Sequence, residues 1–226
     1  MKTSLLALLI MIGLSHDALA QNPPISVGFR TGVGLTFLTE NYTIPDLEKS
    51  MGMCYTVGGV VSIPFGGIWS FQSEVHFNQE YGKRIDTSTM MRRSENGTPI
   101  GKTTYNSIFY QPIFTSLSFP LLVKASLAKS EALQLNVFLG PTLGYLLSGK
   151  SSTEYQDPLG HPVVRARYDV GTIRPFQAIV TVGVEYRFFN TFMIDVRYNS
   201  TFTNYVDTDM YQLRFSNAQL GLTYLF

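Results

Sequence analysis

Hydrophobic and polar positions alternate with period two along most of this chain, the spacing of a half-buried β-strand rather than a helix. In Ile25–Leu38 the apolar parity is Val27, Phe29, Val33, Leu35 and Phe37, against Ser26, Gly28, Arg30, Gly32, Gly34 and Thr36. Met53–Ile63 sets Tyr55, Val57, Val61 and Ile63 against Cys54, Thr56, Gly58 and Ser62. Trp69–Tyr81 sets Trp69, Phe71, Val75, Phe77 and Tyr81 against Ser70, Gln72, Glu74, His76, Asn78 and Glu80. The same texture returns in Tyr105–Lys124, Leu133–Leu147, Ile173–Phe188, Thr191–Phe202 and Tyr211–Phe226, so the pattern predicts eight strands.

The links between these strands alternate in length. Short ones at Pro64–Ile68, Leu127–Ala132 and Phe189–Thr191 separate long ones at Thr39–Gly52, Lys83–Thr104, Ser148–Thr172 and Thr203–Met210. Short turns at one end and long loops at the other are the mark of an up-and-down membrane barrel. The polar parity decides between that and a soluble sandwich. It carries Arg30, Glu74, His76, Glu185, Arg187, Asp195 and Arg197 among many glycines, a set that an apolar core would not hold. The reading is therefore an all-β, eight-stranded antiparallel up-and-down transmembrane β-barrel, with charges enclosed and apolar side chains facing lipid.

Composition agrees. Charged residues make up only 15% and aromatics 13%, and no apolar run after residue 20 reaches the ~20 residues of a helical span. A net charge of +1 gives no sign of nucleic-acid binding. The one cysteine, Cys54, cannot form an internal disulfide. Near the start, Lys2, the apolar run Leu5–Leu14 and Ala18-Leu19-Ala20 form a secretory leader pattern. The expected division is residues 1–20 as signal peptide and residues 21–226 as the barrel domain. Aromatic residues form two groups, as the interfacial girdles of a barrel require. Trp69, Phe71, Tyr186, Phe188, Phe192, Tyr224 and Phe226 flank the short turns; Tyr42, Phe77, Tyr81, Tyr105, Phe109, Tyr145, Phe202, Tyr205 and Tyr211 lie toward the long loops.

The last residues, with Gln219, Gly221, Tyr224 and the terminal Phe226, resemble the assembly signal of outer-membrane barrels. It would make the barrel-assembly machinery a partner during insertion. Four further stretches are similar to the PorT-like outer-membrane β-barrel family of Bacteroidota: Leu117-Ser118-Phe119-Pro120-Leu121-Leu122-Val123-Lys124, Asn136-Val137-Phe138-Leu139-Gly140-Pro141-Thr142-Leu143-Gly144-Tyr145, Val182-Gly183-Val184-Glu185-Tyr186, and Asp195-Val196-Arg197-Tyr198. The resemblance runs from Gly28 to Phe226 and implies an eight-stranded barrel in the outer membrane, and the alternation of short turns and long loops implies both termini in the periplasm. One namesake of the family is linked to secretion, which brings an envelope complex into view as a protein partner.

For the site, an eight-stranded barrel is just wide enough for side chains to fill. Glu74, His76, Lys124, Glu185, Arg187, Asp195 and Arg197 are expected to form a luminal charge network, with Glu185 and Arg187 opposite or diagonal to Asp195 and Arg197 across one hairpin, so that opposite charges meet. Glu74 and His76, two apart on one strand face and so about 7 Å from each other, also form a candidate acid–base pair, although no nucleophile stands in a recognisable context. Arg92, Arg93, Arg165 and Arg167 in the long loops are candidate anion-binding residues. No metal-ligand spacing, phosphate loop or cofactor motif appears. The expected function is a non-enzymatic structural or accessory barrel of an envelope complex. The alternative is a barrel that binds a ligand or lipid, adheres, or modifies lipid through its loops or lumen.

Overall fold

The computed structural model describes residues 25–40, 47–86, 89–93, 99–104, 107–129, 133–156, 162–169, 173–188, 191–208 and 211–226, with backbone alone at 40, 47–50, 83–86, 89–93, 99–104, 107–110, 129, 153–156, 162–169, 207–208 and 211. The expected leader, residues 1–20, lies outside them.

Eight long strands form the wall: β1 (Ser26–Glu40), β2 (Gly52–Gly66), β3 (Trp69–Tyr81), β4 (Ser107–Lys129), β5 (Leu133–Gln156), β6 (Phe176–Phe188), β7 (Phe192–Thr201) and β8 (Tyr211–Leu225). Each pairs antiparallel with its neighbours in sequence, and β8 returns to pair with β1 from Gly28↔Leu225 to Glu40↔Leu213. Closure removes the free edges that lipid could not hydrogen-bond. Among the described residues no helix is long and apolar enough to cross a membrane; the crossing is made by strands.

Side-chain direction follows the alternation. Phe29, Val57 and Leu222 point outward at 49%, 40% and 47% exposure, whereas Arg30, Glu74 and Asp195 inside are at 0–1%. The protein is thus apolar outside and charged inside, the reverse of a soluble barrel. The short turns sit at one end. At Gly66-Gly67 both residues adopt positive φ, 147° and 55°, which only glycine takes without strain, so β2 turns directly into β3.

The long links differ from plain loops. They contain the strands Leu47–Ser50, Lys83–Asp86, Thr89–Arg93, Pro99–Thr104, Pro162–Asp169 and Val206–Thr208. Thr89–Arg93 and Pro99–Thr104 form a separate two-stranded ribbon. The others pair onto the wall or onto each other. The reason lies in β4 and β5. With 23 and 24 residues against 13 in β3, they run up to about 80 Å at ~3.4 Å per residue. That outreaches a ~25 Å apolar band even when tilted, and the excess offers backbone for Lys83–Asp86 and Pro162–Asp169 to pair with.

Candidate functional site

The lumen holds a connected belt of charge built from six strands. Arg30 on β1 donates from Nε and Nη2 to Asp195 of β7, at 3.0 and 2.8 Å. Asp195 Oδ1 also accepts from Arg197 Nε at 2.7 Å. Arg197 reaches across the lumen to Glu74 on β3, with Nη1 2.8 Å from Oε2, and its guanidinium lies 5.2 Å from the centre of the Phe138 ring. Glu74 further accepts from Gln72 and stands 2.8 Å from His76 Nε2. Lys124 on β4 donates to Gln72 and to Glu185 of β6, and Glu185 accepts from Asn136 on β5.

Every one of these side chains is at least nine-tenths buried, and their charges balance: Arg30, Lys124 and Arg197 against Glu74, Glu185 and Asp195. Pairing of this kind is required, because an isolated ion in so narrow an interior costs several kcal/mol. The two strands outside the belt, β2 and β8, give space instead. A Cβ at Gly58 on β2 would run into His76, and one at Gly221 on β8 would run into Arg30 and Asp195.

The hairpin expectation needs correction. In the observed register Glu185 faces Asp195, Arg197 faces Gly183, and Arg187 faces Met193, so the directly opposed pair is of like charge, while the opposite charges Glu185 and Arg197, and Arg187 and Asp195, stand on the diagonals. Compensation comes from across the lumen, through Lys124 for Glu185 and through Arg30 and Arg197 for Asp195. Arg187 is half-buried toward the short turns, opposite Gln134 of β5.

Above the belt, toward the long loops, the lumen is stopped by a second layer. Phe114, Leu146, Tyr205, Val206, Leu213 and Phe215 form a buried cluster, with the rings of Phe114, Tyr205 and Phe215 in mutual contact at 5.0–5.2 Å. Tyr205 does not sit in the outer girdle as its sequence position implied. The segment after β7 folds inward, and Tyr205 donates its hydroxyl to Glu80 Oε2 at 2.7 Å while Asn217 donates to Oε1 at 2.6 Å. Burial first, and then the Glu80 carboxylate, push the Tyr205 phenol well above its ordinary range. Parity marks Glu80 as inward, but nothing in the sequence joins it to a residue 125 positions away.

Between the layers lies a polar cavity of about 30 Å³, bordered by His76, Asn78, Glu80, Ser118, Thr142 and Asn217. At ~10–15 Å³ per water it admits one to three waters. A larger concavity, about 1020 Å³, involves the outer wall of β4–β7 at Leu121, Val123, Leu139, Pro141, Val182 and Val196, a surface for hydrocarbon rather than for a polar ligand. The candidate acid–base pair of Glu74 and His76 is locked into the belt, since Glu74 is also held by Arg197 and Gln72. Among the described residues no cluster of His, Cys, Asp or Glu suits a metal. Arg92 and Arg93 fall in the two-stranded ribbon and Arg165 and Arg167 on the strand paired to β5, two different sheets; their side chains lie outside the described residues.

At the short-turn end, Tyr186, Phe188, Phe192, Tyr224 and Phe226 form an unbroken run of ring contacts across β6, β7 and β8. Such a girdle fits an interface between hydrocarbon and headgroups.

An apolar exterior, a closed antiparallel wall and an enclosed charged interior define an integral β-barrel protein of the outer membrane, with lipid as its surroundings. The chain belongs to the outer membrane protein beta-barrel domain family, whose model matches residues 19–207. No curated protein matches. Among solved structures the chain is similar to Ail, the attachment invasion locus protein of Yersinia pestis (13% identity, TM-score 0.42, 89% of this chain and 99% of that one). It is also similar to Neisserial surface protein A (10%, TM-score 0.39, 88% and 97%). A third is the N-terminal β-barrel domain of Pseudomonas aeruginosa OprF (11%, TM-score 0.31, 87% and 97%).

Proposed function

We propose that this protein is a non-conducting, non-enzymatic barrel that serves as a structural or accessory subunit of an envelope complex, secretion or assembly machinery, of the PorT-like kind in Bacteroidota. The observation that carries the reading is the doubly stopped lumen: among the described residues a charge-balanced belt and an aromatic layer fill it, with a cavity of about 30 Å³ between them. A barrel filled in this way has its outer surfaces left for function. In this reading residues 1–20 are a cleaved leader, both termini lie in the periplasm, and the long links face outward from the cell. Gln219, Gly221, Tyr224 and Phe226 are then read by the barrel-assembly machinery during insertion.

Two measurements test this. Purified protein in planar bilayers is expected to give no steady conductance, and large stable pores would end the proposal. Cross-linking in native membranes is expected to yield a stoichiometric protein partner; recovery of the barrel with bound lipid alone would favour a different role. The reach of β4 and β5 beyond the apolar band supports a second reading, a barrel that binds a ligand or a surface through the sheet at its long-loop end, with Arg92, Arg93, Arg165 and Arg167 as anion contacts. Trimming that sheet while keeping the wall separates the two, because only the second reading then loses its binding activity with every envelope partner retained.

A further inference from the structure

We infer that Arg30 and Asp195 form a clasp over the β1–β8 seam, so that closing the barrel and completing the luminal belt are a single event. The two residues sit on strands that are not paired with each other. Strand β8 runs between them, paired to β1 on one side and to β7 on the other.

The ion pair therefore straddles the last strand, and register shows how. Gly32, Gly221 and Asp195 stand in one row across β1, β8 and β7. Two adjacent glycines leave a trench on the inner wall, and the Arg30 guanidinium lies in it. A Cβ at Gly32 would come within 3.1–3.4 Å of the guanidinium, and one at Gly221 would overlap both Arg30 and Asp195. With the trench filled, Arg30 is 0% exposed and makes a two-pronged bond to its partner.

The trench exists only once β8 has docked on β1. Before that Arg30 has no bed, and Asp195 has only Arg197, which Glu74 also claims. An open seam thus leaves a carboxylate short of charge inside the wall, a costly state. This ion pair crosses the seam over the single strand β8, whereas Arg197–Glu74 spans the lumen from β7 to β3. Lys124–Glu185 joins β4 to β6 on the opposite side and serves as an internal control.

The test is amide hydrogen exchange on the full folded chain in detergent micelles, comparing wild type with Arg30→Met, Arg30→Lys, Gly221→Ala and Glu185→Gln. Clasp variants are expected to speed exchange at residues 28–36 and 217–225 by about tenfold or more, with the β4–β5 ladder unchanged. Gly221→Ala should do so with both charges still present, because it fills the trench. Glu185→Gln should loosen β4 and β6 and spare the seam. If Arg30→Met fails to fold, Arg30→Lys and Gly221→Ala decide. Even acceleration around the barrel, an unaltered seam, or an equal seam effect from Glu185→Gln would overturn the clasp.

Discussion

Arg197 is the residue on which the interior turns, because it holds carboxylates from two strands at once. Replacing it by Met leaves Glu74 buried with His76 and Gln72, and Asp195 with Arg30 alone. Breaking one side of a buried pair costs about 3–5 kcal/mol. Arg197→Met is expected to lower the urea unfolding free energy in lipid vesicles by that amount, and adding Glu74→Leu to recover much of it, since an apolar pair leaves no orphaned charge. A double variant no better than the single one would show that the cost lies in lost packing against Phe138. At this scale the sequence reveals direction but not partnership. Parity places Arg30, Glu74, Glu185, Asp195 and Arg197 inward, because period two leaves no other choice. The pairing of Lys124 with Glu185, 61 residues apart, depends on how the wall curves, which no local pattern encodes. The role of Gly221 is hidden for the same reason. It reads as part of a terminal motif until the register sets it beside Gly32 and Asp195.

Strands are the legible elements, and six of the eight are bounded by the alternation of lipid and lumen faces to within a few residues, whereas β4 and β5 run on past the expected ends at Lys124 and Leu147 to Lys129 and Gln156. In such a wall the two parities respond differently to the same chemistry. Val182 lies outward near the middle of β6 and Thr181 inward beside it. Arginine on the lipid face near the bilayer centre costs about 2–4 kcal/mol, so Val182→Arg should lower folding stability by that much in vesicle urea titrations. Thr181→Val should cost about 1–3 kcal/mol through its lost hydroxyl bonds to Thr142 and Asn199. Equal tolerance at both positions would contradict the assigned facing. The strands within the long links were illegible, because their alternation is short and polar. Two of them, Lys83–Asp86 and Pro162–Asp169, pair with the overhang of β4 and β5, whose length depends on how far the wall rises, and the others pair with another link strand or with β8. Tyr205 misleads similarly: an aromatic near a strand end reads as girdle, and only the inward fold after β7 brings it to Glu80.

At the scale of the whole molecule the two stops in the lumen act in series. The belt is ionic and spans the wall from β1 to β7, whereas the plug is aromatic and held by a connecting segment. A blockade in series persists when one element is removed. Tyr205→Ala opens the long-loop mouth as far as the polar cavity, where Arg197 and His76 still border the floor. Arg197→Ala opens the belt but leaves Phe114, Phe215 and Leu213 above it. Neither single variant is therefore expected to conduct ions in planar bilayers, while the two together should give small, brief openings, because an eight-stranded wall is only wide enough for its own side chains. Steady conductance from Tyr205→Ala alone would mean that the belt is permeable and that the aromatic layer is the working gate. Silence from the combined variant, with heat-modifiable gel mobility intact, would mean that neighbouring side chains such as Phe138 and Gln219 collapse into the space, and the barrel would then be solid by packing rather than by charge.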